Sequence, residues 1–219
     1  MNPPSHIPGQ VPSRGAPALG LSLWALRHTM ESLSEQIYTW INQQNIKSVE
    51  IAGFFDKSAD DLLWPLERWQ MSVIGVHGPS LTRRRDAEFH TRWAQEYTAR
   101  FKTATLGIES SPVAFHGSIS SAERESYYKS LVETVWKVAS NLNASKKRVA
   151  YHCFPHDFEL VGGKPLIAHL FASGAPKNLG LQLDTYWLTQ AAVDPRVVVD
   201  FPVFSVHLNE RDDQGRCCK

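Results

Sequence analysis

Two short segments near the C-terminal end carry the residues best suited to chemistry. Leu181-Gln-Leu-Asp184-Thr-Tyr-Trp187 and Phe204-Ser-Val-His207-Leu-Asn-Glu-Arg211-Asp212 are each an apolar alternation that ends on a metal-capable side chain. They lie about one strand-helix-strand repeat apart. That spacing puts a carboxylate and an imidazole at the same rim of a parallel sheet, where ligand-binding and catalytic groups collect in α/β folds. Asp184 and His207 are therefore the first candidates for a metal site. Each also has a structural reading, Asp184 as a helix N-cap after its strand and His207 as a hydrogen-bonded rim histidine.

Other polar residues sit where an apolar strand would not place them by chance. Glu50 lies between Val49 and Ile51, and burying a carboxylate without a partner is costly. It is expected to point inward and to bond a substrate or a cationic neighbour, with a solvent-facing strand residue as the alternative. His77 ends an apolar run and either contacts substrate hydroxyls or packs. Trp24 and Trp187 offer flat faces for a ligand, although Trp is more often simply core. Arg211 is placed to neutralise a phosphate or carboxylate, or to pair with Asp212.

The elements that must position these groups alternate in type. Strand patterns fall at 19–26, 49–54, 71–77, 111–116, 148–152, 180–184 and 203–208, and helical periodicity at 30–44, 58–69, 86–106, 121–142 and, irregularly, 166–173. Repeated βα units argue for a parallel sheet of the α/β class. Seven strands are one unit short of a TM-type count of eight, and the expected fold is a TIM (β/α)8-type barrel that is incomplete, its eighth unit missing. An open doubly wound sheet is the competitor, but Trp24-Ala-Leu-Arg27 follows the first strand where that fold needs a Gly-rich phosphate loop. Residues 1–18, rich in Pro, Gly and Ser, read as a disordered leader, and 19–219 as one barrel domain.

Composition narrows the partners. The formal net charge is +1, so no overall basic field invites nucleic acid, and the run Arg83-Arg84-Arg85 is offset by Asp86 and Glu88. No apolar run reaches the roughly 18 residues of a membrane span. Three cysteines, two of them adjacent (Cys217 and Cys218), do not suggest a disulfide framework. A reducing, cytoplasmic setting is the expectation, with a small-molecule substrate, no nucleic acid, no membrane and a possible homo-oligomer.

At the strand ends the chain resembles the sugar phosphate isomerase/epimerase family, the xylose-isomerase-like TIM barrels that include inosose dehydratase. The resemblance runs from about residue 19 to 212. Its carriers are Leu19-Gly-Leu-Ser-Leu-Trp24 with Arg27, Val49-Glu50 with Gly53, Val76-His77, Tyr151-His152 with His156-Asp-Phe-Glu159, Leu183-Asp184-Thr-Tyr-Trp187 with Asp194-Pro195, and Val206-His207-Leu-Asn-Glu-Arg211-Asp212. In the family a divalent metal is held by residues ending strands five to eight. Asp184 and His207 match the aspartate of strand six and the histidine of strand seven. The run from Tyr151 to Glu159 resembles a Tyr-His-Asn-His subgroup with two residues inserted, so His152 is the implied strand-five ligand and His156 a neighbouring catalytic group. The glutamate that ends strand eight has no counterpart before Lys219.

The resemblance implies a metal-dependent isomerase or epimerase, or a dehydratase, acting on a sugar or keto-polyol. One divalent ion (Mn, Co, Zn, Fe or Mg) would polarise a carbonyl and acidify the neighbouring C–H. Glu50, His152 and His156 are the implied proton-transfer groups, and Trp24, His77, Trp187 and Arg211 the substrate contacts. The alternatives are a lyase or hydrolase acting on 3-keto-glycosides, which would use the same chemistry, and a non-catalytic, degenerate barrel that binds carbohydrate.

Overall fold

Glu50 and its two neighbours show how the sheet is built. Val49 and Ile51 are fully buried and face the helices, so the period-two alternation of a strand turns Glu50 to the opposite, inner face. A computed structural model describes residues 19–30, 35–81, 86–110, 120–198 and 200–209. Its strands are β1 (Leu21–Ser22), β2 (Ser48–Ile51), β3 (Ser72–His77), β4 (Thr105–Glu109), β5 (Arg148–His152), β6 (Leu160–Val161), β7 (Lys164–Pro165), β8 (Leu179–Asp184) and β9 (Val203–His207). Seven of them form one parallel sheet in the order β1-β2-β3-β4-β5-β8-β9, while β6 and β7 make a separate antiparallel hairpin.

Parallel neighbours need a crossover between them, and helices supply it. They are α1 (Arg27–Met30), α2 (Glu35–Gln43), α3 (Ala59–Arg68), α4 (Ala87–Arg100), α5 (Ser121–Asn143), α6 (Leu166–Leu170) and α7 (Thr185–Gln190). Capping boxes from Ser58 with Asp61 and from Ser120 with Glu123 start α3 and α5, satisfying N–H groups that would otherwise be orphaned. One apolar layer joins α2 and α3 to the first three strands through Ile41, Leu62, Leu66 and Val76. A second joins α4, α5 and α6 to β4, β5 and β8 through Leu106, Tyr128, Val135, Val149 and Leu179. Each fully buried Leu or Val in these layers contributes about 1.5–3 kcal/mol.

The sheet curls. Glu50 on β2 touches both Gln182 on β8 and His207 on β9, strands that a flat sheet of this order would hold far apart. The result is a half-open α/β barrel of seven strands, as the sequence implies. Among the described residues β9 pairs with β8 only and β1 with β2 only.

The structure corrects several boundaries. The fourth strand of the sheet among the described residues is Thr105–Glu109, and the segment 111–116 expected to be a strand lies outside the described residues. The aromatic stripe Phe89, Trp93, Tyr97, Phe101 reads as helix up to 106, but Lys102 takes a left-handed φ of 53° and ends α4 at Arg100. The first strand shortens to Leu21–Ser22 and turns into a 3-10 segment at Leu23–Leu26. The second stops at Ile51, because Gly53, Phe55 and Asp56 all have positive φ and turn the chain away. Residues 1–18, the expected leader, and the arginine run 83–85 lie outside the described residues. Among the described residues no helix is long and apolar enough to cross a membrane.

Candidate metal centre

Strand register delivers the polar groups to one rim. His77, Glu109, His152, Asp184 and His207 are the last residues of β3, β4, β5, β8 and β9. Glu109 pairs with His152 across one ladder, and Asp184 with His207 across another. This is the C-terminal mouth of a barrel, where the strand ends converge. Small residues inside make room for large ones. A Cβ on Gly107 would lie 2.5 Å from the His77 ring, and one on Gly180 would lie 2.8 Å from the Phe204 ring.

His207 divides the cluster. On one side its Nδ1 lies 3.7 Å from Asp184 Oδ2, and His152 Nε2 lies 3.7 Å from the same oxygen. On the other side His207 Nε2 lies 2.6 Å from Glu50 Oε2. Gln182 Nε2 donates to Glu50 Oε1 at 2.5 Å, and His77 Nε2 lies 3.3 Å from that oxygen. Asp184 is the helix cap that the sequence allowed, and its second oxygen is turned to the histidines. Its Oδ1 caps α7 by accepting from Tyr186 and Trp187 N–H, and its Oδ2 faces the histidines, where Asn209 Nδ2 also donates at 2.6 Å.

Three carboxylates converge here, and among the described residues no lysine or arginine forms an ion pair with any of them; their close neighbours are histidines. Burial pushes the Glu50 carboxyl up, but His77 and His207 together outweigh it and hold it well below the usual range. Burial also opposes Asp184 ionisation, and bonds from His152, His207 and the Trp187 N–H overcome it, so it too sits low. His207 is pulled down by burial and raised more strongly by Asp184 and Glu50, to about 9. His152 is lowered, burial being the larger influence. Opposed shifts of this kind in one cluster make it a candidate for ion binding or proton transfer.

Beside the mouth, the segment after β5 is pinned from beneath. Asp157 is fully buried, accepts from Tyr151 OH at 2.8 Å and from Phe154 N–H at 2.8 Å, and lies 3.5 Å from Ser110 Oγ. Burial pushes its carboxyl up to about 7. Ser110 Oγ also lies 2.6 Å from His156 Nε2. The pinned loop presents the Phe154 ring to His152 at 4.9 Å, to His156 at 5.7 Å and to Trp187 at 5.4 Å, as one aromatic wall.

The structure thus brings together Asp184, His207, His152, Glu50 and His77, with Trp187 on the wall and His156 behind Phe154. Trp24 is set differently. It is 54% exposed, stacks under Arg27 at 5.2 Å and meets Phe55 at 6.3 Å. Arg211 lies outside the described residues. Sequence reasoning missed Gln182, Glu109, Asn209 and the wall role of Phe154. Gln182 carried the signal that flagged Glu50, a polar residue inside an apolar run; Glu109 was hidden by the misplaced fourth strand.

Two of the three donor pairs lie close enough to share one divalent ion. Two donors about 2.1 Å from one ion lie at most about 4.2 Å apart, and both 3.7 Å pairs fall inside that limit. All three donor atoms of His152, Asp184 and His207 lie within 4.8 Å of one another. Two imidazoles and a carboxylate suit borderline ions such as Zn, Mn, Co or Fe.

No protein-family model matches the chain, and no curated protein matches it. Solved structures do. One is a sugar phosphate isomerase/epimerase from Parabacteroides distasonis, with 16% identity and a TM-score of 0.71 over 96% of this chain and 93% of that one. Another is the IOLI protein with a bound zinc atom, at 14% identity and a TM-score of 0.62, covering 90% of this chain and 74% of that one. A third is a family 2 AP endonuclease from Brucella melitensis, at 16% identity and a TM-score of 0.53, covering 69% and 63%. The fold is therefore that of the sugar phosphate isomerase/epimerase and xylose-isomerase-like TIM barrels, and the resemblance read from the sequence holds at that level.

Proposed function

We propose that this chain is a metal-dependent isomerase or epimerase of a sugar or keto-polyol. The observation that carries the reading is the convergence of His152, Asp184 and His207 donors at 3.7 Å spacing on the barrel mouth, without a lysine or arginine pairing the buried carboxylates among the described residues. The zinc in the IOLI protein and the sugar chemistry named for the Parabacteroides protein support it.

In this reading His152 Nε2, Asp184 Oδ2 and His207 Nδ1 hold the ion. When bound, the ion polarises a substrate carbonyl and acidifies the adjacent C–H. The chain's own groups do the rest. Phe154 and Trp187 exclude water from one side and offer a flat face to a sugar ring. His77 is the candidate for a substrate hydroxyl. His156 is the proposed proton-transfer group, its Nε2 held 2.6 Å from Ser110 Oγ and 3.5 Å from the Asp157 carboxyl, which burial raises to about 7.

The reading is tested by proton exchange. The metal-stripped full chain is reloaded with zinc, manganese or cobalt and incubated in D2O with ketoses, including D-fructose, and with a keto-inositol. Metal-dependent deuterium uptake at the carbon beside the carbonyl, followed by proton NMR, is the expected result. Exchange that is absent for every substrate, or unaffected by metal, would overturn it.

A further inference from the structure

We propose that Glu50 is a positioning residue for His207, fixing which ring nitrogen faces the metal side, and that it does not itself shuttle protons; this rests on the metal-site reading above. A histidine has two ring nitrogens with different tasks, and the hydrogen bond made by one decides what the other can do. In His207 the nitrogens face two different carboxylates. Nε2 lies 2.6 Å from Glu50 Oε2, a hydrogen-bond length, while Nδ1 lies 3.7 Å from Asp184 Oδ2, a spacing that leaves room for an ion between them. With Nε2–H donating to Glu50, the proton that His207 gives up on binding a metal is the one on Nδ1, and the lone pair so freed lies on the same side as His152 Nε2 and Asp184.

Both carboxylate oxygens of Glu50 are engaged by protein groups. Its Oε2 is taken by His207, and its Oε1 accepts from Gln182 at 2.5 Å with His77 Nε2 at 3.3 Å. The residue is 7% exposed and Gln182 is fully buried. A general base must reach the proton it removes with a free lone pair, and this carboxylate is enclosed on both oxygens. It is also rigidly mounted. Val49 and Ile51 anchor β2 against the helices, and across the ladder Gly75 leaves space that a side chain would fill, a Cβ there lying 3.4 Å from Oε1.

The placement solves a problem set by the topology. Among the described residues β9, which carries His207, is paired on one side only. An edge strand alone would hold its terminal imidazole loosely. Glu50 reaches across the barrel interior from β2 and fixes that ring from the opposite wall, so two strands far apart in sheet order share one orientation. Outer partners of this kind orient metal-ligating histidines, and their loss weakens metal binding by about 10–100-fold.

The test uses the full chain, metal-stripped, with zinc affinity read by chelator competition and the His207 ring read by long-range ¹H–¹⁵N NMR. Glu50→Gln keeps an acceptor but loses the charge; Glu50→Leu loses both. The expected result is an affinity loss of about tenfold for Glu50→Gln and nearer 100-fold for Glu50→Leu, with the zinc-bound wild type showing Nδ1 as the metal-bound nitrogen and a slowly exchanging proton on Nε2 that becomes fast in the Leu variant. A cooperative melt for Glu50→Gln keeps the comparison meaningful if Glu50→Leu does not fold. Affinity unchanged within about twofold in Glu50→Gln with an unchanged Nε2 proton, or zinc bound through Nε2, would overturn the proposal. If wild type binds no zinc, the functional reading fails. The Glu50–His207 bond is still decided separately, because the exchange of the Nε2 proton is read in the metal-free protein.

Discussion

Gly107→Ala is a single methyl placed where the site is tightest. The new Cβ would lie 2.5 Å from His77 Cδ2 and 2.7 Å from Nε2, so the ring must move by about 1 Å to reach an ordinary carbon contact of roughly 3.5 Å. Overpacking of this kind costs about 1–3 kcal/mol, and the lower entropy of the unfolded alanine chain returns about 0.4–1 kcal/mol. A net loss of about 1–2 kcal/mol follows, or a melting point lower by roughly 2–8 °C for a chain of this size. The assay is a urea titration with a thermal melt beside it, on wild type, Gly107→Ala, His77→Ala and the double variant. In the His77→Ala background the clash disappears, and the second substitution should be neutral or stabilising. A loss of equal size in both backgrounds would refute the reasoning, because the cost would then not come from His77.

Three further outcomes are expected. The raised carboxyl of Asp157, about 7 against 3.8 in the unfolded chain, binds its proton more tightly when folded, so its contribution to stability falls as pH rises from about 4 to 7; Asp157→Asn should remove that slope from the urea midpoint, and an unchanged slope would count against it. Asp184 and Glu50 are shifted the other way, so their stabilisation is present above about pH 4 and is lost as pH falls towards their folded values, and Asp184→Asn should flatten that acid limb of the melt. Finally, Val203 and Val206 are 39% and 46% exposed on the one-sided strand β9, which invites strand pairing between copies; Val206→Lys should shift any self-associated fraction to monomer on size exclusion, and an elution profile identical to wild type would contradict this.

Much of the scaffold was legible because its signals are local. Alternation in Val49-Glu50-Ile51 and the span Arg148–His152 gave strands whose direction and ends matter to the site, and helical periodicity over 58–69 marked the helix that follows the second strand. The fourth strand was not legible. Its boundary depends on a left-handed residue at Lys102, and an ordinary lysine gives no sign of that conformation. The candidate site divides in the same way. Asp184, His207 and His77 stand at strand ends and could be named from position, while His152 came from the resemblance of the run from Tyr151 to Glu159. Their pairing could not, because Glu50 meets His207 across 157 residues of sequence and only the curl of the sheet joins them. Glu109 went unread for want of its strand, and Asn209 because its bond to Asp184 depends on how β9 ends.

The central claim is that His152, Asp184 and His207 together bind one divalent ion. It is tested most directly by titrating zinc into the metal-stripped full chain by calorimetry, for wild type and for His152→Ala, Asp184→Ala and His207→Ala. The account predicts one tight equivalent in wild type and a loss of at least about 10-fold in affinity in each variant, as for removal of a group on which a metal site depends. A wild-type chain that binds no zinc, or a tight equivalent left intact by all three substitutions, would contradict it.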